Sequence, residues 1–233
     1  MSAPTLPARK KIPLLENGDH LTRDEFERRY EAMPVIRAEL IEGVVYMSSP
    51  VRVTEHGCPH SDLVTCFGVY RANTPGVDAA DNSTVRLDVD NEPQPDAVVY
   101  VKPEWGGRTT IADGYLTGSP ELVGEVSAST VSIDLNKKFH VYRRNQVSEY
   151  VVWRVLDDEI DWFVFRGGRY DRLATDPADG LYKSATFPGL WLDAAALVGR
   201  DLAAVLAALA RGLASPEHAA FAAALAARRP ATR

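Results

Sequence analysis

The sequence predicts an α/β protein, because segments with strand periodicity and segments with helix periodicity follow one another along the chain. Two apolar runs, 96–101 and 122–127, have the length and composition of buried strands. Apolar residues in the segment 60–74 recur at the spacing of one helix face. Residues 149–166 predict two strands joined by a short turn. These elements together indicate a sheet covered by helices.

Local signals place the other elements. Thr22-Arg-Asp-Glu25 is a capping box, which predicts a helix through about Tyr30. Residues 38–47 predict a β-hairpin that turns at Glu42-Gly43. Further predicted elements are an alternating strand at 84–89, a long loop from Pro103 to Ser119, a helix with Asp134 as its N-cap, a strand near 169–173, and helices between about Leu192 and Arg229.

Composition and charge set limits on the function. The 233 residues suffice for one well-filled domain, and 45% apolar with 25% charged residues is the balance of a globular protein. The net charge of −6 counts mildly against a dedicated nucleic-acid binder, which usually carries a basic excess. An acidic net charge does not exclude a metal-dependent nuclease, because its active site is itself acidic and bound cations reverse the sign of the charge there.

Other classes lack their signatures. Cys58 and Cys66 are too few for a disulfide framework or a zinc site. The N-terminus has basic residues without the apolar core of a signal peptide, and no run approaches the roughly 20 apolar residues of a membrane span. Gly106-Gly107 and Gly167-Gly168 lack the context of phosphate-binding loops, so no nucleotide cofactor is expected. We expect a soluble, cytoplasmic protein without a membrane partner.

Two carboxylates stand within the strands that read as buried. Asp96 opens the first run and Glu125 lies inside the second. A carboxylate in such a place is costly unless something pairs with it. If the two strands run antiparallel side by side, Asp96 and Glu125 converge near one end. Two hard oxygen ligands, with water and a substrate phosphate, would make a Mg²⁺ (or Mn²⁺) site.

Lys138 is the best candidate for a cation beside this site. It shares a helix face with Leu135 and Tyr142, so it is predicted to point into the protein, whereas Lys137 points outward. Taken singly, each residue is better explained structurally: Asp96 as a turn residue after Pro95, and Glu125 as half of a buried ion pair with Lys138. Their joint occurrence in this order favours catalysis.

The motifs in this order resemble the Uma-two family of putative restriction endonucleases, part of the PD-(D/E)XK nuclease superfamily. The resemblance covers about residues 20–195. The matching segments are Glu39-Leu-Ile-Glu42-Gly43, Met47-Ser-Ser-Pro50, His60, Pro95-Asp96, Pro120-Glu-Leu-Val-Gly-Glu125-Val-Ser, Ser129-Thr130, Asp134, Lys138, Tyr142 and Glu149-Tyr150.

The resemblance implies a restriction-endonuclease-like core, with a mixed central sheet flanked by helices and metal held by Asp96 and Glu125. The wider superfamily would place lysine at position 127, where this chain has Ser127. The family resembled here supplies the lysine from the following helix, which implies Lys138. The domains expected are a flexible arm at 1–20, the nuclease-like domain at 21–195 and a helical extension at 196–233.

Six further residues are candidates for the site. Glu42 is either an acidic site member or a turn residue before Gly43. His60 could contact substrate or metal, or cap its helix. Pro59 makes a continuous helix through His56 and His60 improbable. The remaining candidates are Gln94 before the Pro95-Asp96 motif, Ser127 on the face of Glu125, Asp134, and Tyr142 on the face of Lys138.

The alanine-rich tail is strongly helix-forming. Leu202, Val205, Leu206 and Leu209 form an apolar stripe that must cover either the domain's own sheet or the same helix of another copy. A homodimer is predicted, because two sites facing one duplex would suit double-strand cleavage.

The leading interpretation is a metal-dependent endonuclease that hydrolyses DNA phosphodiester bonds through an activated water. Asp96 and Glu125 would bind the metal, and Lys138 would polarise the water. The alternative is a non-catalytic binding or assembly module with the same fold, in a mobile element or defence system. A small-molecule hydrolase using Ser127 or Ser129 ranks last, because the chain has no nucleophile-elbow motif.

Overall fold

The computed structural model describes residues 11–33, 36–48 and 50–229. The strands are β1 Ala38–Ile41, β2 Val44–Met47, β3 Val77–Asp81, β4 Val85–Arg86, β5 Ala97–Val101, β6 Thr110–Ala112, β7 Tyr115–Thr117, β8 Leu122–Ser127, β9 Glu149–Arg154, β10 Glu159–Arg166, β11 Arg169–Arg172, β12 Tyr182–Lys183 and β13 Trp191–Leu192. The α-helices are α1 Arg23–Tyr30, α2 Cys58–Asn73, α3 Phe139–Arg144, α4 Ala194–Val198, α5 Leu202–Leu213 and α6 Pro216–Arg228. π-Helical turns at Val53–Gly57 and Ile133–Lys138 lead into α2 and α3.

A six-stranded mixed sheet forms the centre, in the order β11-β10-β9-β8-β5-β3. Neighbouring strands are antiparallel except for β8 and β9, which are parallel. The predicted mixed α/β architecture and the antiparallel pairing of the two carboxylate-bearing strands are therefore confirmed. The predicted strand–turn–strand is β9 and β10, and β11 follows it as expected.

Helices cover both faces of this sheet. Leu63 and Phe67 of α2 pack on one face with Leu122, Val126 and Trp153 of the sheet. Gly124 of β8 permits this close approach, since an added Cβ would lie 3.2 Å from Leu63 Cδ2 and 3.3 Å from Phe67 Cε2. On the opposite face, Tyr142 packs with Val123, Tyr150 and Val152. Because side chains alternate along a strand, Glu125 and Ser127 share the second face with Val123.

The N-terminal elements form a smaller layer with its own apolar cluster around Phe26, Leu40 and Val45. Thr22 caps α1 as predicted, because its hydroxyl accepts a hydrogen bond from the Glu25 amide. Residues 17–20, which belong to the arm predicted at 1–20, lie along β2. Gly18 N donates to Val45 O at 2.8 Å, and Val45 N donates to Asp19 O at 2.9 Å. Residues 1–10 of the arm lie outside the described residues.

The segment 103–119, predicted to be a long loop, contains regular structure. A 3₁₀ turn at Pro103–Trp105 is followed by β6 and β7, which form a three-stranded sheet with β4. β4 covers two residues of the strand predicted at 84–89 and pairs with β7 in parallel. Parallel pairing between segments about 30 residues apart leaves no local signal for sequence reasoning to read.

The C-terminal helices pack on the domain rather than apart from it. Val205 and Leu209 of α5 are buried in the same apolar cluster as Leu63 and Phe67 of α2. The apolar stripe is thus covered by the chain itself and gives no support for a second copy, so the homodimer stays a prediction. In the part of the chain that the structure describes, no helix is both long enough and apolar enough to cross a membrane.

Candidate active site

Asp96 and Glu125 meet at one end of the sheet, as their positions in the sequence predict. The register pairs Ala97 with Gly124, so the preceding Asp96 falls opposite Glu125. Asp96 Oδ2 accepts a hydrogen bond from Val126 N at 2.7 Å, which ties the two strand ends together. Both side chains are buried, with 8% of Asp96 and 4% of Glu125 exposed.

Lys138 lies at the centre of a buried charged cluster. Its Nζ is 2.9 Å from Glu39 Oε2, 3.1 Å from Glu125 Oε1 and 3.7 Å from Asp134 Oδ1. The π-helical turn Ile133–Lys138 carries this ammonium group to the face of β8 that bears Glu125. The prediction that Lys138 points into the protein and Lys137 outward is confirmed, since Lys138 is buried and Lys137 exposed.

Tyr142 holds Glu125 from the next turn of the helix. Its hydroxyl donates to Glu125 Oε1 at 2.9 Å, the same oxygen that contacts Lys138. Among the described residues, Glu125 Oε2 accepts no hydrogen bond from a side chain. Glu125 therefore has one oxygen fixed by the protein and a second oxygen available to a ligand.

Burial and neighbouring charges shift the pKa values in this cluster. Burial raises the pKa of Glu125 well above its usual range, reinforced by Asp134, Asp96 and Glu39 and opposed by Lys138. For Lys138, burial alone would lower the pKa, but the surrounding carboxylates hold it well above normal. Burial also acts to raise the pKa of Asp96, yet the His56 hydrogen bond leads a set of interactions that lower it overall.

Asp134 does not cap its helix as predicted; it anchors the end of β8. Its Oδ2 accepts hydrogen bonds from Ser127 Oγ at 2.5 Å and from Thr130 Oγ1 at 2.6 Å. Ser132 instead occupies the position before the π-helical turn, without a side-chain cap. Ser127 thus lies beside the carboxylates as expected, with its hydroxyl already donated to Asp134.

Glu39 belongs to the cluster, and Glu42 does not. Glu42 sits in the hairpin turn with a φ of 54°, and its exposed carboxylate faces Arg144 at 3.5 Å. Glu39 is on β1 and contacts Lys138. The signal was available: Glu39 is a carboxylate inside an otherwise apolar strand, the same feature that identified Glu125.

Gln94 contributes through its backbone. Its amide donates to Glu39 Oε2 at 3.2 Å, while its side chain donates to Tyr30 and Thr84 hydroxyls on the far side. The residue supports the cluster by orienting Glu39, and its side chain takes no part.

His56 and His60 lie on one continuous helical path, contrary to the prediction that Pro59 would interrupt it. Pro59 occupies the first turn of α2, where its missing N–H costs no helical hydrogen bond, and the π-helical turn Val53–Gly57 precedes it. His60 Nε2 is 2.9 Å from Asp96 O, and His56 Nε2 is 3.1 Å from Asp96 Oδ1. Sequence reasoning placed His60 near the site and missed His56.

The donor chemistry of this cluster fits a divalent metal ion. Asp96 and Glu125 offer the hard oxygen atoms that Mg²⁺ prefers. Among the described residues, no group of three or more histidine, cysteine, aspartate or glutamate side chains is arranged to hold a metal ion. Mg²⁺ commonly uses one or two carboxylates and completes its shell with water and phosphate, so two ligands suffice.

Comparisons with known proteins identify the family and the fold. The family model Uma2, described as putative restriction endonuclease, matches residues 23–195. A crystal structure of a putative nuclease of the DUF820 group from Anabaena variabilis has a similar fold, with a TM-score of 0.54 and 15% identity over 76% of this chain and 99% of that one. Among curated proteins, none matches the chain significantly. The family match covers well over half of the chain, which therefore belongs to the Uma2 family of putative restriction endonucleases.

Proposed function

We propose that this protein is a metal-dependent endonuclease that hydrolyses DNA phosphodiester bonds, with Asp96 and Glu125 as the metal ligands. The observation that carries the proposal is that acidic side chains outnumber the cations around Lys138. Asp96, Glu125, Asp134 and Glu39 face one ammonium group and His56. Uncompensated buried charge is costly, and a divalent cation would offset it.

A bound Mg²⁺ or Mn²⁺ would neutralise charge on the scissile phosphate and lower the pKa of the attacking water. The protein's own groups have distinct tasks in this proposal. Asp96 and Glu125 would hold the ion, and Tyr142 keeps Glu125 in place through its hydroxyl. Lys138 keeps its proton because of the carboxylates around it. Its ammonium group orients the water and stabilises the charge that develops on the phosphate.

DNA is the proposed substrate because the family is described as one of putative restriction endonucleases. The exposed residue nearest in sequence to the cluster is Lys137, whose ammonium contacts the Tyr46 hydroxyl and lies 5.2 Å from the ring centre. Tyr46 is the direct register partner of Glu39 in the hairpin, so this cation lies beside the buried cluster. It is suited to a phosphate contact next to the scissile bond.

A non-catalytic module with the same fold is the second candidate. One observation favours it: Lys138 already pairs with Glu39 and Glu125, so the cluster can serve as a structural ion network without a metal. In that case the protein would bind no metal, and replacing either carboxylate would change only the free energy of unfolding.

Calorimetric titration of Mn²⁺ separates the two candidates. We expect the wild type to bind Mn²⁺, and Asp96→Asn and Glu125→Gln each to lose most of that affinity, because each removes one of two protein ligands. Glu104→Gln, an exposed carboxylate change in the Pro103–Trp105 turn, is the matched control and should bind as the wild type does. A wild type that binds no Mn²⁺ would contradict the proposal and favour the structural network.

A further inference from the structure

Asp96 is held at its backbone and at both carboxylate oxygens. Val126 N donates to Oδ2 at 2.7 Å, and His56 lies 3.1 Å from Oδ1. The Asp96 carbonyl accepts from Asn82 N at 3.2 Å and from His60 Nε2 at 2.9 Å.

The two histidines reach Asp96 from one helical surface. The π-helical turn Val53–Gly57 places His56 above His60, and the two rings stack with centroids 5.6 Å apart and planes 25° from parallel. Single π-helical turns within longer helical segments occur frequently at functional sites. His60 fixes the main chain and His56 fixes the side chain.

The direction of the His56 hydrogen bond follows from its partner. The Asp96 carboxylate offers only acceptor oxygens, and its Oδ2 already accepts from Val126 N. The His56 Nε2 atom therefore carries the proton and donates it. A carboxylate has about four acceptor positions, and these two bonds leave positions on both oxygens for a cation.

We propose that His56 is a positioning residue of the metal site, which fixes the plane of the Asp96 carboxylate by donating from Nε2 to Oδ1. The proposal rests on the proposed function. The torsion that turns an aspartate carboxyl plane has a broad energy minimum, so a single bond from Val126 N leaves that plane loosely defined. The second bond from His56 restricts it before a cation arrives. Groups that hydrogen-bond a metal-ligating carboxylate typically contribute 10–100-fold to metal affinity.

Substitutions at His56 distinguish this role from simple packing. Glutamine can place an amide N–H near the position of the imidazole Nε2, whereas leucine fills similar volume without a donor. Asparagine carries the same amide on a shorter side chain that does not reach Oδ1. His140 is exposed on α3 and supplies a matched control away from Asp96.

The experiment is calorimetric titration of Mn²⁺ into wild type, His56→Gln, His56→Leu and His140→Leu, each first shown to be folded by circular dichroism. We expect His56→Leu to raise the Kd for Mn²⁺ by about 10–100-fold, His56→Gln to stay within about threefold of the wild type, and His140→Leu to be unchanged. Should His56→Leu fail to fold, His56→Asn takes its place with the same expected loss.

Two results would overturn the inference while leaving the proposed function intact. One is a His56→Leu protein that binds Mn²⁺ as tightly as the wild type. The other is a folded His56→Gln protein as weak as His56→Leu, which would show that the ring matters for its shape and not for its donor. A wild type without measurable Mn²⁺ affinity would overturn both the inference and the proposed function.

Discussion

Replacing Lys138 with methionine tests whether the buried cluster depends on its central cation. The side chain is 6% exposed, and its ammonium group lies 2.9 Å from Glu39 and 3.1 Å from Glu125. At an effective dielectric constant of about 20, each of these contacts is worth roughly 5 kcal/mol before the cost of removing the ions from water is counted. Methionine keeps most of the volume and leaves the carboxylates without a partner.

We expect Lys138→Met to lower the free energy of unfolding by about 3–5 kcal/mol at pH 7, the range seen when one partner of a buried ion pair is removed. The loss should shrink as the pH falls towards 5. In the variant, the buried carboxylates bind protons more readily in the folded than in the unfolded state, so stability rises as pH falls.

Urea unfolding followed by tryptophan fluorescence measures this change, with the buried Trp153 and Trp162 as reporters. Lys137→Met is the matched control for stability. Lys137 is exposed and contacts only Tyr46 among the described side chains, so its loss should cost about 1 kcal/mol or less. A Lys138→Met protein that loses less than about 1 kcal/mol, or no more than the control, would show that the cluster does not depend on this cation.

Two further predictions concern packing and pH. Gly124→Ala should lower the free energy of unfolding by about 1–3 kcal/mol, because the added Cβ would press on Leu63 and Phe67. The control Gly68→Ala in α2 meets no atom within 4 Å and should raise the free energy of unfolding by up to about 1 kcal/mol. Thermal unfolding compares the two variants, and equal effects would contradict the packing of Gly124 against α2. Burial, reinforced by Glu27, raises the pKa of Glu92 to about 8. Between about pH 4.5 and pH 8 the folded state therefore holds a proton that the unfolded state releases, and the contribution of Glu92 to the free energy of unfolding falls as the pH rises. The difference in free energy of unfolding between Glu92→Gln and the wild type should therefore shift in favour of the variant by about 1–2 kcal/mol from pH 5 to pH 8, after allowance for solvent screening. A difference that stays constant across that range would show that Glu92 does not titrate there.

The meeting of Asp96 and Glu125 could be predicted because it depends on local rules. Each carboxylate lies in an apolar run, side chains alternate along strands, and antiparallel pairing of the two strands brings their ends together. The orientation of Lys138 followed from helix periodicity in the same way. These features need only the segment itself and one neighbouring strand.

Glu39 and His56 were not assigned, for different reasons. The apolar strand around Glu39 marked it as a candidate, but its place beside Lys138 depends on the hairpin packing over the helical segment that carries Lys138, a contact between distant segments. His56 was separated from His60 by a rule about proline that applies inside a helix and not to its first turn. In 103–119, the antiparallel pair of β6 and β7 does have a local signal, the two-residue Asp113-Gly114 turn, whereas the parallel pairing of β7 with β4 leaves none.

The most direct test of the central claim is cleavage of supercoiled plasmid DNA. Wild type, Glu125→Gln and Glu104→Gln are purified in the same way and incubated with plasmid in Mg²⁺, in Mn²⁺, or in excess EDTA. We expect wild type and Glu104→Gln to give nicked and linear products in either metal and no product in EDTA. Glu125→Gln should cleave at least a hundredfold more slowly than the wild type. Equal cleavage by Glu125→Gln and wild type, or intact plasmid with a wild type that is folded and metal-loaded, would contradict it.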